Sequence, residues 1–537
     1  MDVAMSSGTQ PSPDGAVFDY YGLLHRAAAR YAARTALLAD DERISYAAVK
    51  ASADAVAAGL AALGVGPGDR VALCLGNEPE WIYTFFALSR LRAVAVMMST
   101  SWMARELRHA LALTAPVAIV ADGDRRELVD EAGRPERAVV VHGGAGRPGW
   151  LPFEELTDRA DALPAWSAGR AGPAGAVADL ELALPFSSGT TGLPKAVRHT
   201  HRTLTLATSQ WRGGLGLTDT DRLQALTPLS HILGIVNVGA TISSGATIRL
   251  FRKFSARTMV DSFEADKITV GMTVAPIAAA LAAMPDLTDY DLSSLRYLNW
   301  SATPVNAEIA RRLTERTGIG WLPAYGTTEV PVLAVTPPDA VDNARLDSVG
   351  KPPPAVQVEA ADPATGALLK RGEVGELVAL SPAAMLGYLP EPEESPFLAG
   401  GWYRTGDQGY VNPEGWVVIT GRIKELIKVS GYQVSPVEIE GVLATSSLVR
   451  DCAVFGVPDE RRGETPVAAV VPADPATADA AQLIAWLTPQ LAHYKQLRAV
   501  YFVPEVPRTA SGKIQRHKVR ALVAELAAPD RGCEGGR

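Results

Sequence analysis

An apolar run, Leu184-Pro185-Phe186, leads into Ser187, Ser188, Gly189, Thr190, Thr191, Gly192, Leu193, Pro194 and Lys195. Residues of these types at this density suit a polyphosphate. Glycines permit the positive-φ turns that aim several backbone N–H groups at one anion, the four hydroxyls add donors, and Lys195 adds charge. The run is not a Walker A loop. In that motif lysine follows glycine and opens a helix, whereas here Pro194 precedes Lys195 and removes a donor. Read alone, a flexible Ser/Gly surface turn competes with a phosphate-gripping loop. Five other groups invite the same comparison. His231 lies on an apolar run, Glu329 ends Tyr325-Gly326-Thr327-Thr328, Asp407 ends Tyr403-Arg404-Thr405-Gly406, Arg422 follows Gly421, and Lys513 follows Ser511-Gly512. Singly, these read as a core histidine, a surface acid, a turn residue and two solvated cations.

Together, and in this order, they resemble the signatures of the adenylate-forming superfamily, which contains acyl-CoA synthetases, peptide-synthetase adenylation domains and beetle luciferases. Leu184 to Lys195 resembles its phosphate loop, Pro228 to Gly234 the segment whose histidine lies beside the acyl carboxylate, and Tyr325 to Glu329 the segment that meets phosphate and Mg²⁺. Pro507 to Ile514 (PRTASGKI) resembles the carboxy-terminal signature whose lysine reaches across into the active site. The resemblance runs from about Phe18 to Leu526. It implies that ATP is held by Ser187, Ser188, Gly189, Thr190, Thr191, Lys195, Thr328, Asp407, Arg422 and Lys513, and Mg²⁺ by Glu329 with Thr190. A carboxylate such as Asp407 can accept from both hydroxyls of a ribose diol. Lys513, His231 and Lys428 are the implied catalytic residues, Lys513 balancing the negative charge that builds as a carboxylate attacks the α-phosphate.

Gly421 to Glu440 (GRIKELIKVSGYQVSPVEIE) and His493-Tyr494-Lys495 make the chain most similar to 4-coumarate and related aryl or fatty acyl-CoA ligases. Coenzyme A is then the expected acceptor, met by Lys428, Ser430, Gly431 and Gln433 after a small lid turns about Arg422 to Lys424. The implied acyl contacts are His231, Leu233, Asn237, Ser301, Ala302, Ala324, Tyr325, Gly326 and Lys424. Here the chain departs from the coumarate pattern. Leu233 replaces a tyrosine, Asn237 a serine and Ser301 a glycine, and Pro323-Ala324 replace Gln-Gly, so a differently shaped acid is expected. Ala196 stands where the family usually has glycine, and Trp300 reads as core rather than as a pocket wall. Transfer to an amine or carrier protein, or nitrite activation in a diazotising reaction, stays open beside coenzyme A. A non-catalytic nucleotide-binding protein is the alternative of another class, disfavoured because both Lys513 and Glu329 are present.

These residues need a large scaffold, and 537 residues exceed one hydrophobic core. Asp69 to Gly76 reads as a buried strand and Glu80 to Arg92 as a helix, and the alternation continues for about four hundred residues, the pattern of α/β layers. Asn412 to Gly415 reads as a turn, after which a compact α+β pattern follows. We expect a large multi-subdomain adenylating domain over 1–421 and a small mobile lid over 422–537. Within the lid, Ser435-Pro436-Val437-Glu438 has capping-box spacing and predicts a helix through Leu443; Ala478 to Tyr494 reads as a second helix, and 451–457, 466–471 and 499–503 as strands.

Composition narrows the partners. A net charge of −8 supplies no general attraction for nucleic acid, and the longest apolar stretch, Gly271 to Met284, is too short to span a bilayer. Cys74, Cys452 and Cys533 show no paired spacing and read as inert thiols. We expect a free-standing cytoplasmic enzyme acting on a small carboxylic acid, its Ala- and Arg-rich usage pointing to a bacterium, with a homodimer as the guess for assembly.

Overall fold

The computed structural model describes residues 18–143, 148–158, 177–187, 194–303, 305–341, 345–430, 432–509 and 512–527. Four β-sheets organise them. In the first, of eight strands, the order is Ala334–Val335, Trp321–Tyr325, Tyr297–Trp300, Val270–Thr273, Arg222–Ala225, Thr247–Leu250, Thr35–Ala39 and Glu42–Ser45. Its six inner strands run parallel. The second, of nine strands, centres on the parallel neighbours Val94–Met97, Arg70–Cys74, Ala118–Asp122 and Arg137–Val141. Strands buried on both faces read as continuous apolar runs, which is why Arg70–Cys74 was visible in the sequence.

Helices lie between and around these sheets. The largest core cluster joins Tyr20, Tyr46, Trp81, Phe85, Phe86 and Trp211 from four helices to apolar side chains of both sheets. Trp300 is fully buried against Trp321 in a separate cluster, as a core tryptophan. Gln357–Ala361, Gly375–Leu380, Tyr403–Val411 and Val417–Arg422 form an antiparallel third sheet. The last of these strands runs through Arg422, one residue past the expected boundary.

The smaller C-terminal domain is built on the fourth sheet, in which Gly463–Pro472 pairs with Val449–Asp459, Ile427–Val429 and, in parallel, Ala499–Phe502. Its first helix is Pro436–Leu443, as predicted, but the capping box does not form. Glu438 turns instead to Lys495, 2.6 Å away, and the Ser435 hydroxyl has no hydrogen-bond partner among the described residues. The second helix stops at Leu487, well short of Tyr494, because Pro489 cannot continue it; two 3₁₀ turns, Thr488–Gln490 and His493–Lys495, follow. Cys74 and Cys452 are buried and form no disulfide, and burial pushes the Cys74 thiol up to about 12. Cys533 lies outside the described residues. Among the described residues no helix is long and apolar enough to cross a membrane.

Candidate active site

Asp407 and Arg422 are register partners on neighbouring antiparallel strands, so their side chains share a face of the third sheet. The Tyr403–Val411 strand alternates buried and half-buried positions, which places Asp407 inward at 5% exposure. Arg422 Nε donates to Asp407 Oδ1 at 2.8 Å, and the Tyr325 hydroxyl, from the end of a strand in the first sheet, donates to Oδ2 at 2.5 Å. Two sheets therefore meet at one carboxylate. Burial and the Asp407 charge hold the Tyr325 phenol well above its usual range, so it stays a donor. Gly326 follows because the chain turns there against itself: a Cβ would sit 2.0 Å from the Pro331 carbonyl oxygen.

Beyond this turn, Glu329 is buried and accepts from the Tyr388 hydroxyl at 2.8 Å. Tyr388 arrives by strand pairing, since Gly387–Leu389 adds to the Lys195–Thr200 strand. Its ring lies 5.7 Å beneath the Lys195 ammonium, so one tyrosine joins the loop lysine to Glu329. Lys195 opens a strand rather than a helix and pairs with Ser187, in keeping with a loop unlike Walker A. Ser188, Gly189, Thr190 and Thr191 lie outside the described residues. The backbone of Thr328 is held from below by His199, whose Nε2 lies 2.8 Å from its carbonyl oxygen; burial pushes His199 down to about 4, so it is neutral.

His231 caps the Ile232–Ser244 helix, its Nδ1 accepting from the Leu233 N–H at 3.3 Å. Burial, then the nearby Lys513 charge, push it down to about 4. The loop before it is fixed by Asn77, which donates to the Ala225 and Thr227 carbonyls at 3.2 and 3.1 Å and accepts from the Leu229 N–H at 2.9 Å. Leu233, Asn237, Ser301 and Ala324 are all buried. Asn237 Oδ1 is engaged by the Trp211 indole at 2.6 Å, which leaves only its Nδ2 without a partner among the described residues, as is the Ser301 hydroxyl. Ala302 has a left-handed backbone, φ 62, immediately after Ser301.

Lys513 comes from the small domain. Its loop is pinned by the Thr509 hydroxyl, which accepts from the Lys513 N–H at 3.1 Å, and by Arg508, which donates to the Gly512 carbonyl at 2.9 Å and pairs with Asp451. Gly512 has φ +82, and a Cβ on it would stand 3.4–3.5 Å from Pro276, Thr303 and Val274 of the large domain. The ammonium pKa is lowered by burial and by Arg422, against the opposing pull of Asp407, Glu329 and Glu425. Charged groups of the large domain and of the segment after it thus act electrostatically on one half-buried lysine.

The remaining lid residues lie elsewhere. Lys428 and Ser430 are exposed on the Ile427–Val429 strand and its turn, where the Lys428 N–H donates to Glu464 and the Ser430 N–H to the Arg462 carbonyl. Lys424 is exposed in the 3₁₀ turn after Arg422. Gly431 and the Gln433 side chain lie outside the described residues. Tyr388 and Asn77 were not found from sequence. Their contacts cross 59 and about 150 positions, and no local pattern marks them.

A lysine delivered by a small domain to a carboxylate cluster on a large α/β domain is the arrangement of adenylate-forming enzymes, and the chain belongs to that family. Residues 24–389 match the AMP-binding enzyme family and residues 438–513 its C-terminal domain. Among individual relatives, 4-coumarate-CoA ligase 3 of Oryza sativa subsp. japonica is 32% identical over 500 residues, covering 90% of this chain and 88% of its own. The anthranilate CoA ligase AuaEII, solved with anthranoyl-AMP, superposes with a TM-score of 0.86 at 29% identity, covering 95% of this chain and 98% of its own. The amide bond synthetase McbA of Marinactinospora thermotolerans superposes at 0.80 with 28% identity, covering 94% and 99%.

Proposed function

We propose that this chain activates a small aryl, cinnamyl or fatty carboxylic acid with ATP, as its acyl adenylate, and transfers the acyl group to coenzyme A. The observation that carries this is the electrostatic coupling of Lys513 to Asp407, Glu329, Arg422 and His231, the groups that act on its charge or whose charge it acts on. A carboxylate oxygen attacks the α-phosphorus and the bond to pyrophosphate breaks. The Lys513 ammonium balances the charge gathered there, and Lys195 receives the phosphate end. His231, neutral at pH 7, can lie beside the acid without fixing it as a tight ion pair. Asp407 is positioned by Arg422 and Tyr325 to accept the ribose hydroxyls.

Glu329, buried and fixed through one oxygen by Tyr388, fits a hard dication shared with phosphate oxygens, and Mg²⁺ there would supply charge neutralisation to the departing pyrophosphate. In the second half the thiol sulfur attacks the acyl carbon and AMP leaves. For that step we assign Lys428, Ser430, Gly431 and Gln433 to the thiol side, which requires the domain beginning near 422 to turn and withdraw Lys513.

The test is pyrophosphate release by the purified protein with ATP and Mg²⁺ against a panel of acids, with and without coenzyme A, beside Lys513→Ala. Acid-dependent release that falls at least ~100-fold in the variant, with acyl-CoA identified by mass, supports the proposal. The amide bond synthetase among its structural relatives keeps a second reading alive, in which the acceptor is an amine. Release with adenylate and no thioester would select that reading.

A further inference from the structure

The Arg70–Cys74 strand has Val94–Met97 on one side and Ala118–Asp122 on the other, so chain order reverses at it. In open parallel sheets the carboxyl ends at such a reversal form a ligand crevice. Three chemistry-bearing side chains meet here, and none belongs to the site described above. Glu78 precedes and Glu80 opens the Pro79–Leu91 helix, while His142 follows the Arg137–Val141 strand. His142 Nε2 lies 3.2 Å from Glu78 Oε2 and 3.8 Å from Glu80 Oε2, and one ligand atom from each residue falls within 4.8 Å of the other two.

Acidic groups often gather without a ligand, but Glu78 is not an ordinary surface acid. Its side chain is 1% exposed, and neither carboxylate oxygen has a hydrogen-bond partner among the described residues; nor does Glu80 Oε2. Although Glu78 occupies the helix N-cap, its side chain does not cap. A buried carboxyl group without a hydrogen-bond partner carries a desolvation cost that a bound ligand would repay. Arg252, from the end of a strand in the eight-stranded sheet, stands 3.6 Å from both Glu78 and Asp122, outside hydrogen-bond range. Three acidic side chains, Glu78, Glu80 and Asp122, thus gather around one guanidinium. His142 itself has φ 55, a left-handed backbone uncommon for a residue with a Cβ and a kind of outlier that gathers at ligand sites.

We propose that Glu78, Glu80 and His142 form a binding site for a divalent transition cation, with zinc the best match. Bonds of about 2.0–2.2 Å at tetrahedral angles set ligand atoms about 3.3–3.6 Å apart, between the two separations found here. One imidazole nitrogen with two carboxylates favours zinc over magnesium, which prefers an all-oxygen shell. The site ties the Arg137–Val141 strand to the segment carrying Asn77, whose hydrogen bonds set the loop leading to His231.

The experiment strips the full-length protein with chelator, adds Zn²⁺, passes it through gel filtration and measures retained metal, with melting temperature recorded with and without zinc. The wild type is expected to keep one equivalent and melt higher with zinc; Glu78→Gln and His142→Ala are expected to lose that equivalent and the shift. His142 is 38% exposed, so its replacement keeps the test available where Glu78→Gln does not fold. Zinc retained equally by a folded His142→Ala, or no retention by the wild type, overturns the site.

Discussion

Tyr388 does two electrostatic jobs with one side chain, its ring beneath Lys195 and its hydroxyl on Glu329, and the two can be separated by substitution. Tyr388→Phe keeps the ring and removes a hydrogen bond to a carboxylate, a contact worth about 1.5–3 kcal/mol. We expect about a 10-fold or greater loss in kcat/KM for ATP, and a larger loss for Tyr388→Leu, which also removes the π face. Initial rates of pyrophosphate release check both; equal rates in Phe and Leu variants would remove the cation–π contribution. A second residue-level consequence concerns protons. His199 and His201 are fully buried and pushed by burial down to about 4 and about 3. The unfolded chain takes up protons near 6.5 while the folded chain stays neutral, so between about pH 6.5 and 4 the unfolded state binds more protons and stability is lost as the pH is lowered. Each histidine contributes a slope of up to about 1.4 kcal/mol per pH unit. Urea midpoints across this window should fall accordingly as the pH is lowered. His201→Asn, which can still accept from the Tyr20 N–H as His201 Nδ1 does at 3.3 Å, should flatten the dependence.

At the scale of elements, the helices His201–Leu215 and Ile232–Ser244 are joined by the Trp211 indole donating to Asn237. Asn237→Ala strands that buried donor, and we expect a loss of about 1–3 kcal/mol in unfolding free energy with a red shift of tryptophan emission. An unchanged melt would mean that Asn237 serves only the acyl site. This pair also shows what was legible. Asn237 stood out in the sequence as a departure from the coumarate pattern, but its burden between two helices depends on Trp211, 26 positions away. Contiguous signals fared better: the Arg70–Cys74 strand and the Pro79–Leu91 helix each declare themselves within about a dozen residues. Asp407 and Arg422 were found as motifs, yet their direct pairing follows from strand register. Where a local rule failed, a distant group had won: Lys495 drew Glu438 out of its capping box. Tyr388 and Asn77 escaped because strand addition and a bridge between sheets, rather than spacing, give them their roles.

At the scale of the whole molecule, the proposed site is complete only while the small domain presents Lys513, and that presentation passes through Gly512. With φ +82, Gly512 holds a backbone that side chains rarely adopt, and its Cα faces Pro276, Thr303 and Val274 at distances that admit a methyl and little more. Thr303 cannot easily give way, because its hydroxyl accepts from the Trp300 indole at 3.1 Å and the Ala275 N–H at 2.9 Å. Gly512→Val therefore strains the loop and pushes the domains apart where Lys513 must enter, while leaving both cores intact. We expect acid-dependent pyrophosphate release to fall at least ~100-fold with little change in melting temperature. Thioester formation from a chemically prepared acyl adenylate and coenzyme A should persist near the wild-type rate, because the proposed second half needs Lys513 withdrawn. Equal loss of both half-reactions would mean that the small domain does not turn between them, and that one arrangement serves the entire cycle.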